Sequence, residues 1–255
     1  MSGEHNHLVA RHPDVRAFSQ PGQPGFGDCA PSGRMRLDAI ADWLQDIAYA
    51  DVEDAGLESA AVWVVRRTRI RVHRFPRFGE RFQLTTFCSG LGRMWAERRT
   101  DVVRVGATES AEAHLEPEVE AVSLWVHLDV EHWRPTPLTV SELTTYGGLA
   151  PSRRVSARLR HPAPGDVVGG APWTFRATEC DIADHINNAA YWQPLEEELL
   201  TGAAPDPEYL DVEIEYRTPT QPGTKRVLAG GEYRWIVGDG DELLASIRLR
   251  VADGD

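Results

Sequence analysis

Lysine is almost absent from this chain: Lys225 is the only one among 27 basic residues. The positive charge is therefore nearly all arginine, which reads as codon bias. Cysteine is scarce as well. Cys29, Cys88 and Cys180 are too few and too scattered for a disulfide framework or a zinc site. No apolar run approaches the roughly 20 residues that a membrane helix needs. Met1 to Gln20 is polar, rich in His and Arg, and has no apolar segment of signal-peptide type, so the expected location is the cytoplasm. Positive charge is in deficit overall, and the net charge of -12 argues against a general nucleic-acid binder. There is no Gly-rich phosphate loop after a strand and no alternating βαβ order. What is present is a soluble, globular balance, 42% hydrophobic and 26% charged. At 255 residues there is room for one large domain or two ordinary ones.

The densest chemistry lies in Asp181-Ile-Ala-Asp-His185-Ile-Asn187-Asn188-Ala-Ala-Tyr191. Trp173 to Glu179 reads as a strand, and Asn188 to Leu200 as a helix. An acid, an imidazole and two amides thus gather where a strand gives way to a helix. N–H groups at a helix start carry partial positive charge and can hold an oxyanion. A base or nucleophile beside such donors is equipment for acyl transfer.

Asp181 can activate water or form a covalent acyl intermediate; the alternative is a cap on the turn before the helix. His185 can donate to a carbonyl or relay a proton, or can simply tie the turn together. Asn187 and Asn188 can order the junction through their amides; the other reading sets Asn187 among the catalytic groups and Asn188 at the substrate. Asp184 reads as a solvated cap. Glu196, Glu197 and Glu198 are further candidates for an acid, against the plain reading of a solvated helix face. Cys180 reads as a core thiol. Pro194 inside the helix predicts a kink or boundary.

The two halves share a grammar. In the first, a Pro/Gly-rich lead (Pro21 to Gly27) precedes a helix from about Arg36. Leu37, Ile40, Leu44 and Ile47 make its apolar face, and Gly56 lies near its end. Strands are predicted over 61–75, 80–89, 93–105 and 120–128. The second half runs strand, helix, strand (211–217), turn, then strands over 226–237 and 242–251, the last two joined by a hairpin at Gly238-Asp-Gly-Asp241. Cys29 and Cys180 fall at equivalent places, as do Leu44 and Leu195.

The Asp181–Tyr191 run resembles the active-site segment of hot-dog-fold thioesterases, Asp, three residues, His-Val-Asn-Asn, two residues, Tyr. The wider layout is similar to the acyl-acyl-carrier-protein thioesterases of plants and bacteria. The resemblance implies an α+β fold of two tandem hot-dog domains, each a long antiparallel β-sheet wrapped around one central helix. The expected layout is a polar tail (1–20), an N-terminal hot-dog domain (21–137), a linker (138–156) and a C-terminal hot-dog domain (157–255). It also implies a thioesterase that hydrolyses fatty acyl thioesters of acyl-carrier protein, with Asp181 as base or nucleophile and His185 and the helix-start amides polarising the carbonyl. No metal or organic cofactor and no membrane or nucleic-acid partner is expected. Pairing into a homodimer is left open. The chain departs from the plant pattern at three places. Ala183 stands where those enzymes have a catalytic Asn, and Pro219 and Thr220 where they have Glu and Cys.

The first half has Arg34-Met-Arg-Leu37 where the second has His185 and the Asn pair, so it is expected to be catalytically silent. Met35, Ile40, Trp43 and Leu44 are candidates to line an acyl tunnel, or plain core. Arg67, Arg69 and Arg71 alternate along a strand and share one face. With Arg66, Arg74 and Arg77 they form a candidate patch for docking an acidic carrier or a coenzyme A phosphate; the alternative is a sheet face balanced by the protein's own acids. Competing functions are an acyl-coenzyme A thioesterase of the same fold, a non-catalytic acyl-binding protein, and a hot-dog dehydratase or hydratase.

Overall fold

The structure is a computed structural model, and it describes residues 8–57, 62–106, 116–129, 131–147, 155–167, 169–202 and 206–250. The first half holds β1 (Ala17–Gly22), α1 (Leu37–Asp54), β2 (Val62–Val72), β3 (Phe82–Leu91), β4 (Trp95–Arg104) and β5 (Val119–Leu128). A short helix, α2 (Val140–Gly147), follows. The second half holds β6 (Ala171–Phe175), α3 (Gln193–Thr201), β7 (Leu210–Tyr216), β8 (Gly223–Gly230), β9 (Tyr233–Val237) and β10 (Leu243–Arg250).

Among the described residues ten strands form one antiparallel sheet in the order β1-β3-β4-β5-β2-β7-β10-β9-β8-β6. Read outward from the β2/β7 seam, the two sides match strand for strand: β2, β5, β4, β3, β1 against β7, β10, β9, β8, β6. The halves are related by a pseudo-twofold through that seam, where Arg69 stands opposite Glu213. Sparse sequence identity between the halves hides a complete duplication of topology.

The seam explains the burial pattern. Ile70, Val72, Val212 and Ile214 point to the helix side and join one core with Leu37, Ile40, Leu44, Ile47 and Leu195. That core is shared by both halves and buries the apolar face of α1, as its spacing requires. A bulge between Val65 and Arg67 shifts the alternation of β2, so Val65 and Ile70 both face inward although their numbers differ in parity.

Several sequence expectations need correction. The stretch read as a polar tail ends in an edge strand, β1, which runs two residues into the Pro/Gly-rich lead; its Pro21 sits at the sheet margin, where among the described residues no further strand needs its missing N–H. The strand expected over 226–237 is a hairpin, β8 and β9, turning at Gly231 with φ 55°. The stretch read as linker contains α2, which Glu142 caps by accepting from Thr139 N–H (2.7 Å). Pro194, by contrast, marks a boundary as expected: it lies in the first turn of α3, next to the 3-10 turn Asn188–Trp192, where its missing N–H costs nothing.

Residues 155–162 cross the outer face of the sheet as a strap. Trp95 Nε1 donates to Val155 O (2.8 Å) on one side of the seam. Arg160 N and His161 N both donate to Glu215 (2.6 and 3.0 Å) beside it. Trp235 Nε1 donates to Pro162 O (2.8 Å) on the far side.

Candidate active site

The motif forms a closed loop between β6 and the helix. Cys180 pairs with Ile186 as a lone bridge. Asp181 N donates to His185 O (3.0 Å), and Asp184 N to Asp181 O (3.0 Å). Asp184 turns the loop with φ 59°, a left-handed conformation that Asp tolerates. The Asp181 carboxylate accepts from Ala183 N (2.9 Å) and is half-buried. The His185 imidazole is half-buried and has no hydrogen-bond partner among the described residues. Tyr191 lies beneath the loop. Burial raises its hydroxyl above the usual tyrosine value, a backbone hydrogen bond at Thr220 opposes this, and the Asp181 charge adds to the rise.

Asn187 is the cap of the helix start: its Oδ1 accepts from Ala189 N (2.8 Å), and its carbonyl accepts from Ala190 N (3.0 Å). That leaves the Asn188 N–H, which has no partner among the described residues. Asn188 lines a narrow crevice between the halves, with Leu44, Val65, Trp125, Trp192 and Tyr216. Tyr216 braces the junction. Its hydroxyl accepts from Trp192 Nε1 (3.0 Å) and donates to Asn188 O (3.0 Å).

The first half repeats this loop bond for bond. Ala30 N donates to Arg34 O (2.8 Å) as Asp181 does to His185, and Arg36 N to Asp28 O (2.8 Å) as Asn187 does to Glu179 O (2.8 Å). Gly33, with φ 82°, occupies the place of Asp184. Even the preceding 3-10 turns match: Asp28 accepts from Gly25 N and Glu179 from Arg176 N (2.8 and 2.6 Å). Ala30 therefore stands at Asp181, Arg34 at His185, Arg36 at Asn187 and Leu37 at Asn188. The chemistry is gone, and the donor is filled. Leu37 N, the counterpart of the open Asn188 N–H, donates to Glu196 Oε2 (3.1 Å). The other oxygen of Glu196 pairs with Arg34 (2.9 Å), and both side chains are buried.

The sequence expectations fare unevenly in this geometry. Asp181, His185, Asn187 and Asn188 lie together in one loop. Glu196 does not join them: α3 carries it across the seam to the first half's loop, while Glu198 pairs with Arg234 (2.5 Å) on the surface. Pro219-Thr220 still runs beside the loop but offers backbone, Thr220 O accepting from Ile186 N (3.0 Å). Of the tunnel candidates, Leu44 lines the crevice, Met35 and Ile40 are core, and Trp43 packs on Phe82. The arginine patch is corrected. Arg67, Arg69 and Arg71 stand opposite Glu215, Glu213 and Asp211. Arg69 grips Asp211 (2.7 Å), Arg71 reaches it at 3.3 Å, and Arg67 lies 3.7 Å from Glu213. Arg67 and Arg69 are buried, so neither can present charge to a carrier. The acids that balance them lie in a distant segment, and the pairing became legible only with the register of β2 and β7. Sequence reading also missed Gln45, whose amide reaches Asn187 (3.0 Å), and Tyr216.

Among the described residues one group of metal-ligating types lies close together, His161, Glu213 and Glu215. It is on the outer face of the sheet, away from the loop. Glu215 is occupied by two backbone N–H groups and Glu213 by His161 Nε2 (3.2 Å), so protein donors already satisfy it.

The comparisons with known proteins agree with this architecture. The acyl-ACP thioesterase N-terminal domain matches residues 23–145, and the acyl-ACP thioesterase C-terminal domain matches 170–229. An acyl-ACP thioesterase structure from Bacteroides thetaiotaomicron superposes with a TM-score of 0.70 at 16% identity, covering 91% of this chain and 96% of that one. The 12:0-ACP thioesterase of Umbellularia californica gives 0.68 at 17% identity, with coverage of 91% and 96%. By sequence, an uncharacterized protein of Mycobacterium tuberculosis is 25% identical over 222 residues, 85% of each chain. The chloroplastic oleoyl-acyl carrier protein thioesterase 2 of Arabidopsis thaliana is 22% identical over 180 residues, 61% of this chain and 46% of that one. The fold is thus an α+β tandem hot-dog of thioesterase type. Within that class, this chain belongs to the acyl-ACP thioesterase family.

Proposed function

We propose that the protein hydrolyses fatty acyl thioesters of acyl-carrier protein, releasing free fatty acid and the carrier thiol. One observation carries this reading: of two equivalent helix-start donors, Leu37 N–H binds a carboxylate oxygen, and Asn188 N–H, at the end of the loop that holds Asp181 and His185, has no partner among the described residues. The filled donor shows that this backbone position accommodates an anionic oxygen. The open one is suited to the oxyanion of a tetrahedral intermediate. Asp181 attacks the thioester carbon or takes the proton of an attacking water, and His185 donates toward the carbonyl or the departing sulfur. The C-terminal unit, 157–255, carries this chemistry. The N-terminal unit, 21–137, shapes the acyl pocket along the crevice, which has to widen, since its volume of about 10 Å³ is that of a water-sized void. Preference for the carrier protein follows the family, because the buried arginines offer no docking patch. Among the described residues no helix is long and apolar enough to cross a membrane, and we assign the activity to the cytoplasm.

The test is thiol release from a panel of acyl-carrier-protein and acyl-coenzyme A thioesters. Asp181→Asn and His185→Ala are each expected to lower kcat by about 10²- to 10⁴-fold. Faster turnover of the coenzyme A esters would reassign the leaving group. Tight binding without release would make the protein an acyl binder.

A further inference from the structure

The residue that faces the open loop comes from the other half of the chain. Gln45 follows Leu44 on α1 as Glu196 follows Leu195 on α3, and the two leucines are equivalent across the pseudo-twofold. Glu196 reaches over the seam to the first loop, and Gln45 reaches back to the second. Gln45 Nε2 donates to Asn187 Oδ1 (3.0 Å) and to Asp42 Oδ1 (2.9 Å). These bonds use both amide hydrogens, and the reversed amide would set oxygen against two oxygens, so the orientation is determined. Asn187 Oδ1 accepts at the same time from Ala189 N (2.8 Å). One oxygen, held by a residue of the silent half, therefore fixes the cap of the helix start that presents Asn188 N–H.

We infer that Gln45 is a positioning residue for the site in the opposite half. It holds the Asn187 cap, and so aims Asn188 N–H, while leaving that donor open. The inference rests on the hydrolase reading. The contrast with Glu196 gives it chemical content. A carboxylate has no proton to give Asn187 and can only accept, as Glu196 accepts from Leu37 N–H. An amide at this place supports the oxyanion donor, and a carboxylate would fill it. The difference between the working loop and the silent one is thus set in part by the residue reaching across from the other half, beyond the residues of each loop.

The experiment compares wild type, Gln45→Ala and Gln45→Glu by thioester turnover against pH, each variant expressed as a ratio to wild type at the same pH. Gln45→Ala is expected to lower kcat about tenfold with KM within about twofold, the pattern of an interaction used in the transition state. Gln45→Glu is expected to fall about a further tenfold at pH 8 and to recover toward the Gln45→Ala ratio as the introduced carboxyl is protonated. The new carboxyl also lies beside Asp42, whose repulsion acid relieves as well, so the comparison is repeated in an Asp42→Asn background. Recovery with acid that persists there belongs to the freed donor, and recovery that vanishes belongs to the Asp42 contact. Backbone amide resonances of Asn188 and Ala189 supply a readout independent of turnover, and both should move in Gln45→Ala. Unchanged kcat together with unmoved resonances would overturn the inference and leave the hydrolase reading intact. A wild type that releases no thiol would overturn the hydrolase reading and Gln45's catalytic role with it, moved resonances then showing only that Gln45 holds the loop.

Discussion

Burying one charge is costly, and burying a matched pair is tolerable only while both partners remain. Arg34 is fully buried beside Phe75, with the guanidinium 4.7 Å from the ring centroid, and Glu196 is its close carboxylate. Glu196→Ala should therefore destabilise the fold by about 3–5 kcal/mol, read as a shift in urea midpoint at constant m-value. Glu196→Gln keeps an acceptor for Leu37 N–H and should cost less than Glu196→Ala. Asp42 acts in the opposite sense. Asp42 is exposed at the surface, but neighbouring protein strips part of the water from its carboxyl; that loss first, then the charges of Asp46, Asp38 and Asp28, push it up to about 6, against the pull of the Gln45 hydrogen bond. Its folded value lies above the ordinary 3.8, so the folded state binds that proton more tightly. Stability from this group is greatest below pH 3.8 and falls as pH rises through about 6. Asp42→Asn should raise the thermal midpoint at pH 7.5 and leave it unchanged near pH 3.5, while its amide oxygen still accepts from Gln45. An equal gain at both pH values would show that the Asp42 charge is not the cause.

Elements acquire their roles here through neighbours that lie far away in the chain. The apolar face of α1 and the motif loop were legible in the sequence because helical spacing and an acid-His-amide run are local signals. The equivalence of Leu44 with Leu195 was legible too, and the same spacing of 151 residues relates the two loops, Ala30 to Asp181 and Arg34 to His185. What could not be read was anything set by strand pairing. The alternation of Arg67, Arg69 and Arg71 fixed their common face but not the three acids of β7 opposite them. Nor could spacing show that α3 delivers Glu196 to the other half. The junction of the 3-10 turn with α3 offers an element-scale test. Tyr216→Phe removes the hydroxyl that joins Trp192 Nε1 to Asn188 O and leaves both buried groups without that partner. It should cost about 1–3 kcal/mol of stability. It should also lower kcat by a larger factor than it raises KM, since the displaced group is the helix start. Stability lost with kinetics untouched would limit Tyr216 to packing.

At the scale of the molecule, the duplication creates a problem that the strap answers. Two half-sheets meet edge to edge along β2 and β7, and the outer side of that seam is a ladder of three arginines against three acids. Left in water such a ladder would add little, because exposed ion pairs are screened and entropically costly. The strap covers it, and His161 is driven in beside Glu213. Burial alone would raise the Glu213 carboxyl, but the His161 hydrogen bond and then the Arg67 charge outweigh it and bring it down to about 2. Its folded value lies below the ordinary 4.5, so the stabilisation is complete above pH 4.5 and is lost as pH falls from there toward 2. Acid should therefore loosen the seam and the strap together. Glu213→Gln is expected to destabilise the protein by about 3 kcal/mol at pH 7, with the deficit shrinking steadily between pH 4.5 and pH 2. Because the core beneath the seam is shared by both helices, the loss should appear as one cooperative transition, the same by tryptophan fluorescence and by far-UV circular dichroism. A deficit constant across that acid range would remove Glu213 from the account of acid stability. Two separated transitions would show that each half carries a core of its own, and that the ladder joins domains able to stand apart.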